Sequence, residues 1–308
     1  MNPLRGIALK VLSVIVFVAM ATMVKYARGS GIPPGETVFF RSFFAIPVIL
    51  VWLWRTNELR SGLKAKNPMS HVWRGLIGTC AMAFGFAGLG LLPFPEVTAI
   101  GYAAPLMTVI FAAMFLGEQI RRFRIAAVFL GLIGVIIILY PRLSAFTEDV
   151  VDMRQAFGAM IVFMSAVFGA MASTFVRGLV ASETTSSIVF WFSVAASVLA
   201  LFSIPFGWVM PSPGVALALV LSGIFGGVGQ ILLTSSYRYA DAGVIAPFEY
   251  TSILLVLTVS WFIFDEAPTK TTLLGAPLVI MAGVIIIWRE RALGLERSKQ
   301  RAANTPGG

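Results

Sequence analysis

Two charges sit inside otherwise apolar runs: Arg41 in the run 37–54 and Glu249 in the run 245–264. An ionisable side chain in hydrocarbon costs roughly 2.5–3.5 kcal/mol on insertion scales. Each is therefore expected to face a cavity or a partner, as a contact for a solute or a proton. The competing reading is an ion pair that fixes helix packing, or a long side chain reaching back to the polar boundary. Both charges lie near the starts of runs that cross in opposite directions, so a direct pair is not expected. Lys25 and Arg28 close the first apolar run and read as boundary anchors that could also attract an anionic solute. Phe39, Phe43, Phe84, Tyr102, Phe168, Trp191, Phe248 and Tyr250 are the aromatics placed to stack on a planar solute. The alternative for each is packing or contact with lipid.

Two prolines are candidate helix breakers: Pro105 inside one run and Pro247 at the opening of another. A proline removes a backbone hydrogen bond and kinks its helix, and freed carbonyls can line a cavity. Glycines are dense around Gly75, Gly78, Gly85 and Gly88, and again around Gly223, Gly226, Gly227 and Gly229. Such residues let helices approach closely. Trp52, Trp54, Trp73, Trp208, Trp261 and Trp288 fall near run ends, as an interfacial belt does.

Other chemistry is missing. Cys80 is the single cysteine, and the single histidine, His71, lies in a basic stretch read as a loop. No metal site and no cofactor are expected. There is no G-x-x-x-x-G-K-[ST] phosphate loop, no H-E-x-x-H and no G-x-S-x-G. The acids Glu148, Asp149 and Asp152 read as solvated loop surface. No catalytic cluster supports a membrane-embedded enzyme.

The elements that must position these residues follow from composition. Of 308 residues, 58% are hydrophobic and 12% charged, against about a quarter charged in a soluble domain. Lipid must serve as solvent, so spanning segments must pair their own backbone groups. The apolar runs are continuous and near twenty residues, which points to helices rather than the alternating strands of a barrel. The expected fold is an all-α membrane protein with ten transmembrane helices, at 6–26, 37–54, 73–91, 97–116, 124–140, 156–176, 186–206, 214–235, 245–264 and 271–288. Most of the 23 basic residues then fall on one side; only Lys25, Arg28, Arg142, Arg154 and Lys270 fall opposite. The bias puts both termini in the cytoplasm. The net charge of +9 is read as this bias facing anionic lipid, not as a nucleic acid surface.

The second half echoes the first. Phe115-Leu116-Gly117-Glu118, followed by Gly131 to Ile138, matches Ile263-Phe264-Asp265-Glu266, followed by Gly283 to Ile287. The offset is 148 at the glutamates and 149 between Gly134 and Gly283. Five helices per half would place the halves in opposite orientations, an arrangement common in secondary transporters. The expected division is 1–145, 146–290 and a disordered basic cytoplasmic tail, 291–308.

These features together resemble the EamA type of the drug/metabolite transporter superfamily, over residues from about 7 to 289. Within it, Val38-Phe39-Phe40-Arg41, His71-Val72-Trp73-Arg74-Gly75 and Ala246-Pro247-Phe248-Glu249-Tyr250 are most similar to a subgroup that includes bacterial riboflavin importers and S-adenosylmethionine carriers. The resemblance implies a secondary transporter in the bacterial inner membrane, with riboflavin uptake as the leading expectation. The runner-up is transport or export of an amino acid or related metabolite, S-adenosylmethionine included. The implied partners are a small-molecule solute and membrane lipid, with a homodimer left open.

Overall fold

The structure is a computed structural model that describes residues 3–116, 122–144, 150–180, 182–239 and 246–303. Every regular element among them is helical: α1 Pro3–Gly29, α2 Pro34–Phe43, α3 Ala45–Arg55, α4 Leu59–Gly62, α5 Pro68–Leu89, α6 Phe94–Gly101, α7 Ala103–Leu116, α8 Arg122–Ser144, α9 Val150–Val180, α10 Thr185–Leu201, α11 Pro213–Tyr239, α12 Ser252–Phe264 and α13 Lys270–Ala303. Two 3₁₀ turns, Ile204–Phe206 and Ala246–Thr251, join neighbouring helices. Seven stretches are long and apolar enough to cross a membrane: Leu4–Gly29, Pro34–Arg55, Pro68–Leu89, Phe94–Phe111, Met153–Val176, Pro213–Leu233 and Lys270–Arg289. Ile125–Pro141, Ser186–Leu201 and Phe248–Phe264 are shorter apolar helices. Large apolar side chains such as Phe129, Ile136, Leu254 and Phe262 point outward. That exterior suits lipid, and the chain is a multi-pass membrane protein.

Prolines set where two of these stretches break. A proline ring excludes a donor and presses on the carbonyl four residues earlier. Pro47 acts on Phe43 and Pro105 on Gly101, and helices end there: α2 gives way to α3 at Phe44, and α6 to α7 at Tyr102. Pro105 is thus a breaker, and Pro47 is a second one. Pro247 lies in the 3₁₀ turn that precedes α12. The last helix runs to Ala303, past residue 290 where the sequence suggests its end. Gly117 and Glu118, half of the repeat motif, lie outside the described residues.

The helices pair in a regular pattern. α1 lies along α11 and α5 along α9; α8 lies along α13, α10 against α2 and α3, and α6 against α12. Exchanging first-half helices for their second-half counterparts turns the first pairing into the second. The remaining pairings map onto themselves. A two-fold relation between halves generates this pattern. Glycines make the contacts close. A Cβ on Gly75 would strike Ala195 of α10, and one on Gly223 would strike Phe44 at the α2–α3 break. Gly134 of α8 and Gly275 of α13 face each other so closely that a Cβ on either would overlap the other's carbonyl.

Candidate functional site

Arg41 stands in the last turn of α2 and is 4% exposed. Its guanidinium carbon lies 5.9 Å from the centre of the Phe192 ring on α10. The same ring carries a second guanidinium, that of Arg74 on α5, at 4.2 Å. Two like charges therefore lie against one aromatic ring, each drawn by its quadrupole. Among the described residues no carboxylate lies within ion-pair distance of either. The Nε of Arg41, and the Nε and Nη1 of Arg74, are buried and have no hydrogen-bond partner.

Sequence spacing places Arg74 at the margin of a span starting at 73 and counts it with the inner segment. The helix begins earlier, at Pro68, after Asn67, whose side chain accepts a hydrogen bond from the Ser70 amide at 3.4 Å. An Asn-Pro pair is a recognised helix start, and it carries Arg74 well inside α5. It also corrects the placement of His71, which is buried in the first turn of α5, 3.4 Å from Glu183. Glu183 Oε1 accepts from the amides of Lys66 and Asn67, each at 2.7 Å. Burial raises the Glu183 carboxyl, but the amides of Asn67 and Lys66, with His71, outweigh it and hold it below the usual glutamate range.

Glu249 is not deep. It lies in the 3₁₀ turn before α12, its side chain is 58% exposed, and its carboxylate meets Lys10 of α1 at 3.3 Å. Lys25, fifteen residues along α1 or about 22 Å, makes a second ion pair, 2.8 Å to Glu266. Lys25 also donates to the carbonyls of Leu92 at 3.1 Å and Leu89 at 3.4 Å, so all three ammonium protons are engaged. Glu266 accepts in turn from the Phe94 amide at 2.8 Å. Asp265 makes this reach possible: it ends α12 in the left-handed region, φ 53°, where the first half carries Gly117. Arg28 donates to the carbonyls of Phe86, at 3.2 Å, and Ile32. Lys25 and Arg28 are thus fixed to the α5–α6 connection and are not simple boundary anchors.

The aromatics divide. Tyr102 and Tyr250, 148 residues apart, cross edge to face at 5.1 Å where the breaks of the two halves meet. The Tyr102 hydroxyl bonds the Ser252 hydroxyl at 2.5 Å and donates to the Tyr250 carbonyl at 3.4 Å. The Tyr250 hydroxyl rests on Gly283 of α13, where a Cβ would overlap it. Phe84 meets Phe168 at 5.6 Å between α5 and α9. Phe39 stacks on Phe43 and meets Trp208 at a tilt, each at 5.3 Å. Trp191 donates its indole N–H to the Leu63 carbonyl at 3.1 Å and so holds the α4 segment. Phe248 is half-buried in the 3₁₀ turn, and its carbonyl accepts from Thr251. Of the expected set, the structure buries Arg41, Tyr102 and Tyr250. It joins Arg41 to Arg74 and Phe192, neither of which is among the expected site residues. Among the described residues no cluster of metal-ligating side chains occurs.

Comparison with known proteins gives one consistent picture. The sequence profile of the EamA-like transporter family matches residues 4–140 and again 156–289. The chain is 29% identical to an S-adenosylmethionine uptake transporter of Rickettsia felis over 291 residues, 94% of each chain. It is 29% identical to the pseudopaline exporter CntI of Pseudomonas aeruginosa, covering 91% of this chain and 95% of that one. An uncharacterized transporter of Helicobacter pylori is 28% identical over 92% of this chain. A solved crystal structure superposes with a TM-score of 0.67 at 20% identity, over 94% of this chain, which establishes likeness of fold.

Proposed function

Because the chain belongs to the EamA-like transporter family, we propose that it is a secondary transporter that carries an amino-acid-type metabolite across the bacterial inner membrane. In this reading all ten apolar helices span, as two inverted five-helix halves at 1–145 and 146–290, with both termini cytoplasmic. The observation that carries it is the Tyr102–Tyr250 crossing, where equivalent breaks of the two halves meet. The exchange of helix pairings between halves supports it. Rocking one half against the other about that crossing would open a central site to each side in turn.

Riboflavin, the leading expectation of the sequence resemblance, gains no support from the reported relatives: where their names state a solute, it is S-adenosylmethionine or pseudopaline. The substrate reading therefore passes to the runner-up, with S-adenosylmethionine as the first solute to try. Purified protein in liposomes loaded with unlabelled S-adenosylmethionine should accumulate the labelled compound by counterflow, saturably, while riboflavin stays at the rate of empty liposomes. Absence of counterflow for S-adenosylmethionine and for a panel of amino acids would refute this reading. Riboflavin counterflow would restore the first one.

A further inference from the structure

The pair of arginines at the centre has no acid to answer it. Unsatisfied buried donors destabilise a fold, and more so when charged. Two guanidinium groups on one ring also repel each other. A chain that keeps such a pair holds a site that something outside the chain must complete. Chemistry restricts what that is: a guanidinium offers a planar fork of N–H donors that matches a carboxylate edge to edge.

Glycine at two positions 148 residues apart makes the room that the two arginine side chains themselves occupy. A Cβ on Gly78 of α5 would collide with Arg74 Nη1 and the Phe192 ring. A Cβ on Gly226 of α11 would come within 3.0 Å of Arg41 Nε and 3.2 Å of Met20 Sδ. The ring of Phe192 supplies a floor that attracts both cations and accepts no hydrogen bond strong enough to quench them. Helices from both halves thus converge on two guanidinium groups with unpartnered buried donors: α2 and α5 bring the charges, while α10 and α11 bring the ring and the bare backbone.

We propose that Arg41 and Arg74 bind the carboxylate of the transported solute over Phe192. This rests on the transporter reading above and names the group by which the solute is held. The solute's carboxylate completes the hydrogen bonds that the empty centre lacks. Neutral solutes of the same size leave the arginines unpaired and are rejected on that ground.

Thermal melting of the purified protein tests the site without requiring transport. The probes are S-adenosylmethionine and its decarboxylated form, L-methionine and L-methioninamide, L-glutamine and L-glutaminamide, and inorganic phosphate. Wild-type protein should bind the carboxylate member of a pair on the order of 10- to 100-fold more tightly than its partner. Arg41→Gln and Arg74→Gln should bind both members alike. Arg41→Met should raise the melting temperature of the unliganded protein, because it removes an uncompensated buried charge; a structural arginine would give the opposite shift. The proposal falls if no carboxylate outperforms its carboxylate-free partner on wild type, if phosphate alone stabilises, or if Arg41→Met lowers the melting temperature. Counterflow separates the two readings. Carboxylate discrimination without transport refutes only the carrier, and S-adenosylmethionine transport without discrimination refutes only the site.

Discussion

Two lysines and two arginines drawn into this helical bundle are treated in opposite ways. Lys10 and Lys25, toward the two ends of α1, each meet a carboxylate flanking α12: Glu249 at one end and Glu266 at the other. Arg41 and Arg74, in the middle, share a phenylalanine ring and have no carboxylate within ion-pair reach among the described residues. The cost of burying charge applies to all four. At the ends the chain meets it internally, and the result is structure. In the centre the chain leaves it unmet, which destabilises the empty protein and favours whatever completes the pair. Stability sacrificed at one buried locus is a usual accompaniment of function.

The sharpest way to break this contrast is to make the centre resemble the ends. Met20 approaches the space beside Gly226 and Arg41, and Met20→Glu would place a carboxylate there at nearly constant volume. The variant should melt higher, by about 1.5–3 kcal/mol of added stability from charge-assisted hydrogen bonds. Its counterflow should fall by about 100-fold or more, because an internal acid competes with the solute at effectively unlimited concentration. A variant that is no more stable and transports normally would mean that the central pair is not waiting for a carboxylate.

Making an end resemble the centre is the reverse operation. Lys25→Met leaves Glu266 without its cation and the Leu89 and Leu92 carbonyls without a donor. Removing one partner of a buried pair costs 3–5 kcal/mol. Glu266 keeps some exposure and the Phe94 amide, so about 3 kcal/mol is expected in chemical denaturation. Reversing the pair, Lys25→Glu with Glu266→Lys, should fail to restore stability, since a carboxylate cannot donate to the two carbonyls. Full recovery on reversal would show that the charges alone matter there.

What could be read from sequence follows the same division. Arg41 was legible because a charge amid apolar residues is visible in one dimension. The helical, membrane-spanning class was legible from the continuous apolar runs. Arg74 was hidden by a boundary: placing the helix start at 73 put it at the margin, whereas the Asn67-Pro68 signal moves the start back by more than a turn. Glu249 looked deep for the converse reason, because its run continues through a 3₁₀ turn that opens to the surface. Phe192 had no signal of its own, since only packing distinguishes a ring beneath two cations from its neighbours. Tyr102 and Tyr250 stood in the candidate set as separate residues, yet their 148-residue spacing is the offset of the glutamate motif. Gly78 and Gly226 repeat it. Pairing candidates by that offset would have found the axis.

Glu183 extends the contrast to the connection between α9 and α10. Its Oε1 accepts from two amides and lies 3.4 Å from His71 Nε2, while its Oε2 is buried with no hydrogen-bond partner among the described residues, and its folded-state pKa lies below the ordinary value. A lowered value means stability that is fully present above the ordinary glutamate range, near 4.3, and lost as pH falls through the folded-state value. Glu183→Gln can still accept from the amides but without charge. It should cost about 1–2 kcal/mol at neutral pH, the difference between charged and neutral hydrogen bonds, and it should flatten the acid limb of a melting-versus-pH profile. An unchanged acid limb would mean that the two amides do not hold the charged form.

The smallest effect is expected where sequence alone suggested a large one. Glu249 meets Lys10 at 3.3 Å, but its side chain is 58% exposed while that of Lys10 is 4%. Water can replace Glu249 at little cost, and exposed pairs contribute about 0–1 kcal/mol. Glu249→Gln should therefore shift stability by less than 1 kcal/mol, where Lys25→Met shifts it by about three times that. Lys10 is the member that burial makes costly, so Lys10→Met should be at least as well tolerated as Glu249→Gln. Transport distinguishes the two ends further. If Glu249 only shields Lys10, the Glu249→Gln protein carries solute at the wild-type rate across the pH range, and the central arginines alone govern recognition. A rate that falls and loses its pH dependence in Glu249→Gln, with stability unchanged, would assign the proton to this end of α1 and make the exposed pair a functional contact as well as the central one.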